Sequence, residues 1–187
     1  MNVSHACERL RHKRAVFLDR DGVLNLPVVR GDRVTSPFSL DEFRFTDHAA
    51  YAVQMVQSVG YMTFVVTNQP YVATGEMSIE ALREIMEHVR SSLLIDDYST
   101  ALQRESPWYK PGPRMITDLA ADNQVWLEGS WMIGDMWRDV VAGKRAGCRT
   151  IFIGERYECP PELVHYQPDF VCDDVLDACI KVIENDE

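Results

Sequence analysis

The apolar run Ala15-Val16-Phe17-Leu18 passes directly into Asp19-Arg20-Asp21-Gly22, and few folds accommodate that junction. A short apolar run containing β-branched and aromatic residues reads as a buried strand. Just past such a strand the side chains are held by the sheet but lie open to a ligand at its carboxyl edge. Acids two residues apart raise each other's cost of ionisation, so they add nothing to stability. A divalent cation is the obvious compensating charge. Asp-x-Asp-Gly also opens calcium loops, but Val23 stands at the fifth position and Arg30 at the twelfth, where such loops need oxygen ligands. Taken alone, the segment fits a surface turn with two solvated acids equally well.

Three further segments change that balance, each near the end of another expected strand. Met62–Val66 runs into Thr67-Asn68-Gln69, Lys110 precedes Pro111-Gly112-Pro113, and Trp131–Ile133 runs into Gly134-Asp135 with Asp139 beyond. Strand and helix signals alternate throughout, which predicts a mainly parallel sheet flanked by helices. Ala49, Ala52, Val53 and Val56 recur at helical spacing before Gly60, and Ser78 suits the N-cap of a helix carrying Ile79, Leu82, Met86, Val89 and Leu93. Further strands are expected at Thr150–Ile153 and Asp169–Cys172. Helices are expected from Pro111 or Pro113 to about Ala121, through Val140 and Val141, and over Val175, Cys179 and Ile183.

The four segments in this order resemble the haloacid dehalogenase (HAD) superfamily of phosphohydrolases. The likeness is to the subgroup of heptose bisphosphate 7-phosphatases and histidinol phosphatases, and it runs from about Arg14 to the last helix. The resemblance implies an α/β, three-layer Rossmann-like (HAD-like) fold without a cap domain, since the intervals Leu24–Phe45 and Gln69–Tyr109 read as a loop and a helical segment. The loop Leu24–Leu40 is then expected at the rim of an open site.

The resemblance also implies roles. Asp19 is the expected nucleophile and Asp21 the acid and base, the charge of Asp19 working to raise the Asp21 pKa against Arg20. Thr67, Asn68 and Lys110 are expected on the phosphate, and Mg²⁺ on Asp19, the Asp21 carbonyl and Asp135. Asp139 has three open readings: a partner of a metal water, a partner of Lys110, or an acid at a helix N-terminus. Arg20, Gln69, Tyr109 and Met136 are candidate substrate contacts. Without the other motifs, Lys110 would read as a solvated lysine in a Pro-rich turn.

Two departures from the subgroup's pattern bear on cofactors and substrate. Its zinc loop is absent: Ile95–Tyr109 contains neither Cys nor His, so no zinc is expected and packing, with Trp108 and Tyr109 as candidates, must order the segment. Tyr109 and Met136 also stand where heptose bisphosphate phosphatases carry Arg and Lys. That weakens the case for a second phosphate unless Arg20, Arg30, Arg33 or Arg138 compensates. Histidinol-phosphate hydrolysis, and a non-catalytic scaffold that binds a phosphorylated ligand, are the competing readings.

Bulk properties narrow the partners. The net charge of −10 disfavours nucleic acid and requires a local positive site for a phosphorylated metabolite. No apolar stretch reaches membrane-spanning length. Residues 1–13 read as a basic arm lacking an apolar signal core, and residues 14–187 as one domain. Five cysteines without a close pair suggest reduced thiols. The expectation is a cytoplasmic enzyme, monomeric or a small homo-oligomer.

Overall fold

The computed structural model describes residues 13–186, so the arm expected over residues 1–13 lies outside the described residues apart from Lys13. In chain order the strands are β1 (Arg14–Leu18), β2 (Val28–Arg30), β3 (Arg33–Thr35), β4 (Tyr61–Asn68), β5 (Asp97–Ala101), β6 (Trp131–Gly134), β7 (Arg149–Ile153) and β8 (Phe170–Cys172). The helices are α1 (Ala49–Ser58), α2 (Pro70–Ala73, a single turn), α3 (Ile79–Leu93), α4 (Arg114–Asn123), α5 (Trp137–Ala146) and α6 (Val175–Glu184). No helix among them is long and apolar enough to cross a membrane.

Six strands form one sheet in the order β5-β4-β1-β6-β7-β8, and every pairing in it is parallel. β1 sits at the centre because both of its faces are apolar. Val16 and Leu18 point into a core shared with α1, α3 and α6, while Ala15 and Phe17 point into a second core under α4 and α5. The Phe17 ring stacks on Phe64 at 5.3 Å. The result is a three-layer α/β fold. From β1 the chain builds outward on one side through β4 and β5, then crosses back to β6, β7 and β8 on the other. This reversal of direction beside β1 is where parallel sheets open a crevice at their carboxyl edge.

Local signals hold where they were strong. The Ser78 Oγ accepts a hydrogen bond from the Ala81 amide at 3.0 Å, capping α3. Pro113 immediately precedes α4, and Gly60 adopts φ +91° just beyond α1.

Three features differ from the sequence reading. The expected loop Leu24–Leu40 contains the antiparallel hairpin β2–β3, with Val29 opposite Val34 across the Gly31-Asp32 turn. Gln69–Tyr109 holds α2 and β5 besides the expected helix. Packing alone therefore does not order residues 95–109: β5 is hydrogen-bonded along β4, and Trp108 adds a bond from Nε1 to Asp118 at 2.8 Å.

Candidate active site

The four sequence segments meet at the carboxyl edge in one cleft of about 270 Å³. Asp19 leaves the end of β1, Thr67 and Asn68 end β4, Asp135 follows β6, and Lys110 arrives on the loop after β5. Two glycines allow this convergence. A Cβ on Gly22, at φ +81°, would lie 2.0 Å from Asp135 Oδ2, so any side chain there would displace that carboxylate. A Cβ on Gly134 would lie 2.2 Å from the Cβ of Asp139. Asp135 therefore approaches the β1 loop, and Asp139 the end of β6, only because neither glycine carries a side chain.

Charge is concentrated and poorly compensated there. One carboxylate oxygen from each of Asp19, Asp135 and Asp139 lies within 4.8 Å of the other two. The buried Lys110 ammonium lies 2.9 Å from Asp19 Oδ1 and 2.6 Å from Asp139 Oδ1, and it donates to the Val66 carbonyl at 2.7 Å. Burial works against its charge, but Asp139 and Asp19 outweigh that and hold the ammonium more firmly protonated than an ordinary lysine. The Asp19 pKa is pushed up to about 7, chiefly by burial, with Asp139 and Asp21 adding to the effect and Lys110 opposing it. Burial, then the charges of Asp19 and Asp139, raises Asp135 to about 8. One cation among three acids is not enough.

The donor set fits a hard divalent cation. Asp135 Oδ1 is buried with no hydrogen-bond partner among the described residues, an expensive state for a carboxylate oxygen facing its neighbours' negative charge. All three groups offer oxygen, as such an ion prefers.

The HAD-hydrolase-like family model matches residues 108–178. D-glycero-beta-D-manno-heptose-1,7-bisphosphate 7-phosphatase of Rhodopseudomonas palustris is 33% identical over 154 residues, covering 71% of this chain and 79% of that one. The chain belongs to the HAD family of phosphatases. D-glycero-D-manno-heptose-1,7-bisphosphate 7-phosphatase of Chlorobaculum tepidum is 29% identical over 189 residues, covering 88% of this chain and 92% of its own. The crystal structure of D,D-heptose 1,7-bisphosphate phosphatase from B. bronchiseptica, complexed with magnesium and phosphate, shares the fold. Its TM-score is 0.74 at 23% identity, with 91% of this chain and 98% of that one covered.

Within this HAD phosphatase fold, several side chains do something other than expected. Arg20 is fully buried and forks onto Asp21 at 2.9 and 3.0 Å, so it is a partner of that carboxylate and not a substrate contact. Gln69 is equally buried and donates to Asp21 Oδ2 at 2.7 Å and to Thr67 Oγ1 at 2.9 Å. Asn25 and Ser36 complete the cradle at 3.0 and 2.8 Å. Burial works to raise the Asp21 pKa, but the charge of Arg20 and the bonds from Asn25, Arg20 and Gln69 hold it below the usual carboxylate range. The expected upward shift thus falls on Asp19 and not on Asp21.

Asn68 lines the cleft, but its amide clamps the backbone of Lys110: Nδ2 donates to the Lys110 carbonyl at 3.1 Å and Oδ1 accepts from the Lys110 amide at 2.9 Å. This clamp positions the lysine and uses one of the two Nδ2 donors. Asp139 combines two of its three readings, since Oδ1 faces Lys110 while Oδ2 accepts from the Met136 amide at 3.0 Å at the start of α5.

Tyr109 and Met136, the other two candidate substrate contacts, line the cleft. Of the arginines considered as compensating cations, Arg138 alone joins them; Arg30 pairs with Glu42, and Arg33 with Glu76 at 3.0 Å. Ser36 and Arg104 were not singled out from the sequence. Both sit in stretches without regular apolar patterning, so only the folded chain brings them to the cleft.

Proposed function

We propose that this HAD phosphatase removes one phosphate from a small sugar phosphate of the heptose bisphosphate type, through a covalent phosphoryl group on Asp19. The observation that carries the reading is the meeting of the buried Asp19 and Lys110 with the half-buried Asp135 in one cleft, joined to the names of the relatives. A carboxylate needs no base to attack phosphorus. Its Oδ1 is already oriented by the Arg20 amide at 2.7 Å and by Lys110.

In the first half-reaction an Asp19 oxygen bonds to phosphorus, the bond from phosphorus to the sugar oxygen breaks, and Asp21 gives that oxygen a proton. In the second, water attacks the phosphorus, Asp21 takes the water's proton, and inorganic phosphate leaves as Asp19 is restored. The four-partner cradle around Asp21 favours its ionised form, the state from which it acts as a base in the second step. Thr67 and Lys110 contribute a hydroxyl and a positive charge to the transferring phosphoryl group. Asp19, Asp135 and the Asp21 carbonyl would hold Mg²⁺, which when bound supplies the positive charge that keeps Asp19 ionised and offsets charge on the phosphoryl oxygens. The acid cluster and the magnesium of the structural neighbour support that choice of metal.

The test is phosphate release from D-glycero-D-manno-heptose 1,7-bisphosphate with Mg²⁺ and with EDTA. Turnover that requires Mg²⁺ and vanishes in Asp19→Asn is expected. Undiminished turnover in Asp19→Asn would remove the covalent mechanism, and full activity in EDTA would remove the metal.

A further inference from the structure

The positive side chains around the cleft are not equally committed. Lys110 serves Asp19, Asp139 and the Val66 carbonyl, and Arg20 serves Asp21. Arg104 and Arg138 line the same cleft, and among the described residues neither forms an ion pair or a side-chain hydrogen bond. They come from separate segments, the loop after β5 and the first turn of α5.

Each has an aromatic ring as its neighbour. The guanidinium carbon of Arg138 lies 4.6 Å from the Trp137 ring centre, and that of Arg104 lies 5.9 Å from the Tyr109 ring centre. A ring beside the guanidinium takes none of its N–H donors in a hydrogen bond, and those donors suit a pair of phosphate oxygens. Helix stability does not explain Arg138, because a cation in the first turn opposes the helix dipole. Nor does the surrounding field attract a phosphorylated ligand, at a net charge of −10 and with four aspartates lining the cleft.

We propose that Arg104 and Arg138 form a second anion subsite at the mouth of the cleft, which grips the phosphate that is not transferred and so selects a bisphosphate. This rests on the reading of Asp19 as the centre of phosphoryl transfer. The two arginines act as specificity residues: they bind the far end of the substrate and leave the reacting end to Asp19 and Lys110.

The experiment compares heptose 1,7-bisphosphate with heptose 7-phosphate, a pair that differs by the second phosphate alone. In the wild type kcat/KM favours the bisphosphate. That preference falls about tenfold or more in Arg104→Gln and in Arg138→Gln, the scale of one charge-assisted hydrogen bond, and the change lies mainly in KM. A preference unchanged in both variants overturns the subsite.

Calorimetry of the same two sugars on Asp19→Asn protein reads the subsite without turnover. Tighter binding of the bisphosphate, lost when both arginines are also replaced, supports it. Equal affinities overturn it, even where the wild-type enzyme turns both sugars over. If neither sugar is hydrolysed, the proposed function fails while the calorimetric comparison still decides the subsite.

Discussion

The two edges of the central sheet treat polar groups in opposite ways. At the amino edge, backbone amides near the strand starts meet dedicated acceptors. Ser130 Oγ accepts from Ala15 N at 2.9 Å, Asp96 Oδ2 from Thr63 N at 2.8 Å, and Asp169 Oδ2 from Thr150 N at 2.6 Å. Each acceptor stands one residue before the strand that neighbours its donor's strand. Charges at this edge are matched, Arg14 with Asp186 and Lys144 with Asp169, while Arg149 stacks on Trp131 at 3.9 Å. At the carboxyl edge three carboxylates crowd one ammonium, and Asp135 Oδ1 has no partner among the described residues.

Proton affinities record the contrast. Burial works to raise Asp169, yet its bonds from Lys144 and Thr150 hold it below the usual carboxylate range. Asp19 and Asp135 go the other way, to about 7 and about 8. One edge is satisfied by the chain itself; the other stays unsatisfied until something binds. Unrelieved charge in a cleft is a mark of function, because natural cores rarely tolerate it otherwise.

The largest effect is expected from Asp19→Asn. Phosphate release should drop by on the order of 10⁴-fold or more. The melting temperature in EDTA should nevertheless rise, by roughly 2–4 °C for each kcal/mol of relieved repulsion. A lower melting temperature would break the contrast between the edges. Asp21→Asn should reduce turnover by about 10²–10⁴-fold with Mg²⁺ affinity retained. Metal titration beside the kinetics checks this, and a parallel loss of affinity would mean that the side chain serves the metal. Arg20→Met should leave Asp21 without its buried partner and lower stability in urea unfolding by about 3–5 kcal/mol.

The pH response should differ in sign between the edges. A carboxyl raised in the folded state supports folding most fully below its unfolded pKa and loses that support as pH rises through the folded value. In metal-free protein, Asp19 and Asp135 should therefore cost stability progressively between about pH 4 and pH 8. Asp169 is lowered, so its contribution is present above the unfolded pKa and is lost as pH falls through the folded one. At pH 7 Asp169→Asn should cost about 1 kcal/mol, reduced by solvent screening of a side chain 32% exposed, and almost nothing in strong acid. Melting curves of both variants against pH test the pair. The smallest effect belongs to zinc: a zinc-selective chelator should change neither melting temperature nor turnover, and stoichiometric zinc by elemental analysis would contradict that.

Much of this arrangement was legible because burial leaves a pattern. β1, β4, β6 and β7 are covered on both faces, which forces apolar runs, and Asp19, Thr67 and Asp135 show as polar residues where those runs stop. β5 left no such trace. It is an edge strand, Asp97-Tyr98-Ser99-Thr100-Ala101, largely half-exposed, so its polar side chains cost nothing and set no period. The hairpin β2–β3 had a readable turn in Gly31-Asp32, but three-residue strands carry too little alternation to stand out.

Sequence alone determined that acids and a hydroxyl stand at the ends of strands in a parallel sheet, because chain order and hydrophobic burial together dictate where those strands stop. The lone lysine was visible as a residue but not as one carried on the loop after β5. Only the tertiary structure decided which way each side chain turns. Arg20 and Gln69 face inward to Asp21, Asn68 grips the Lys110 backbone, and Arg104 reaches a cleft built from residues far away in the chain. Direction is set by packing and by which partner lies closest, and neither is written in the spacing of residues.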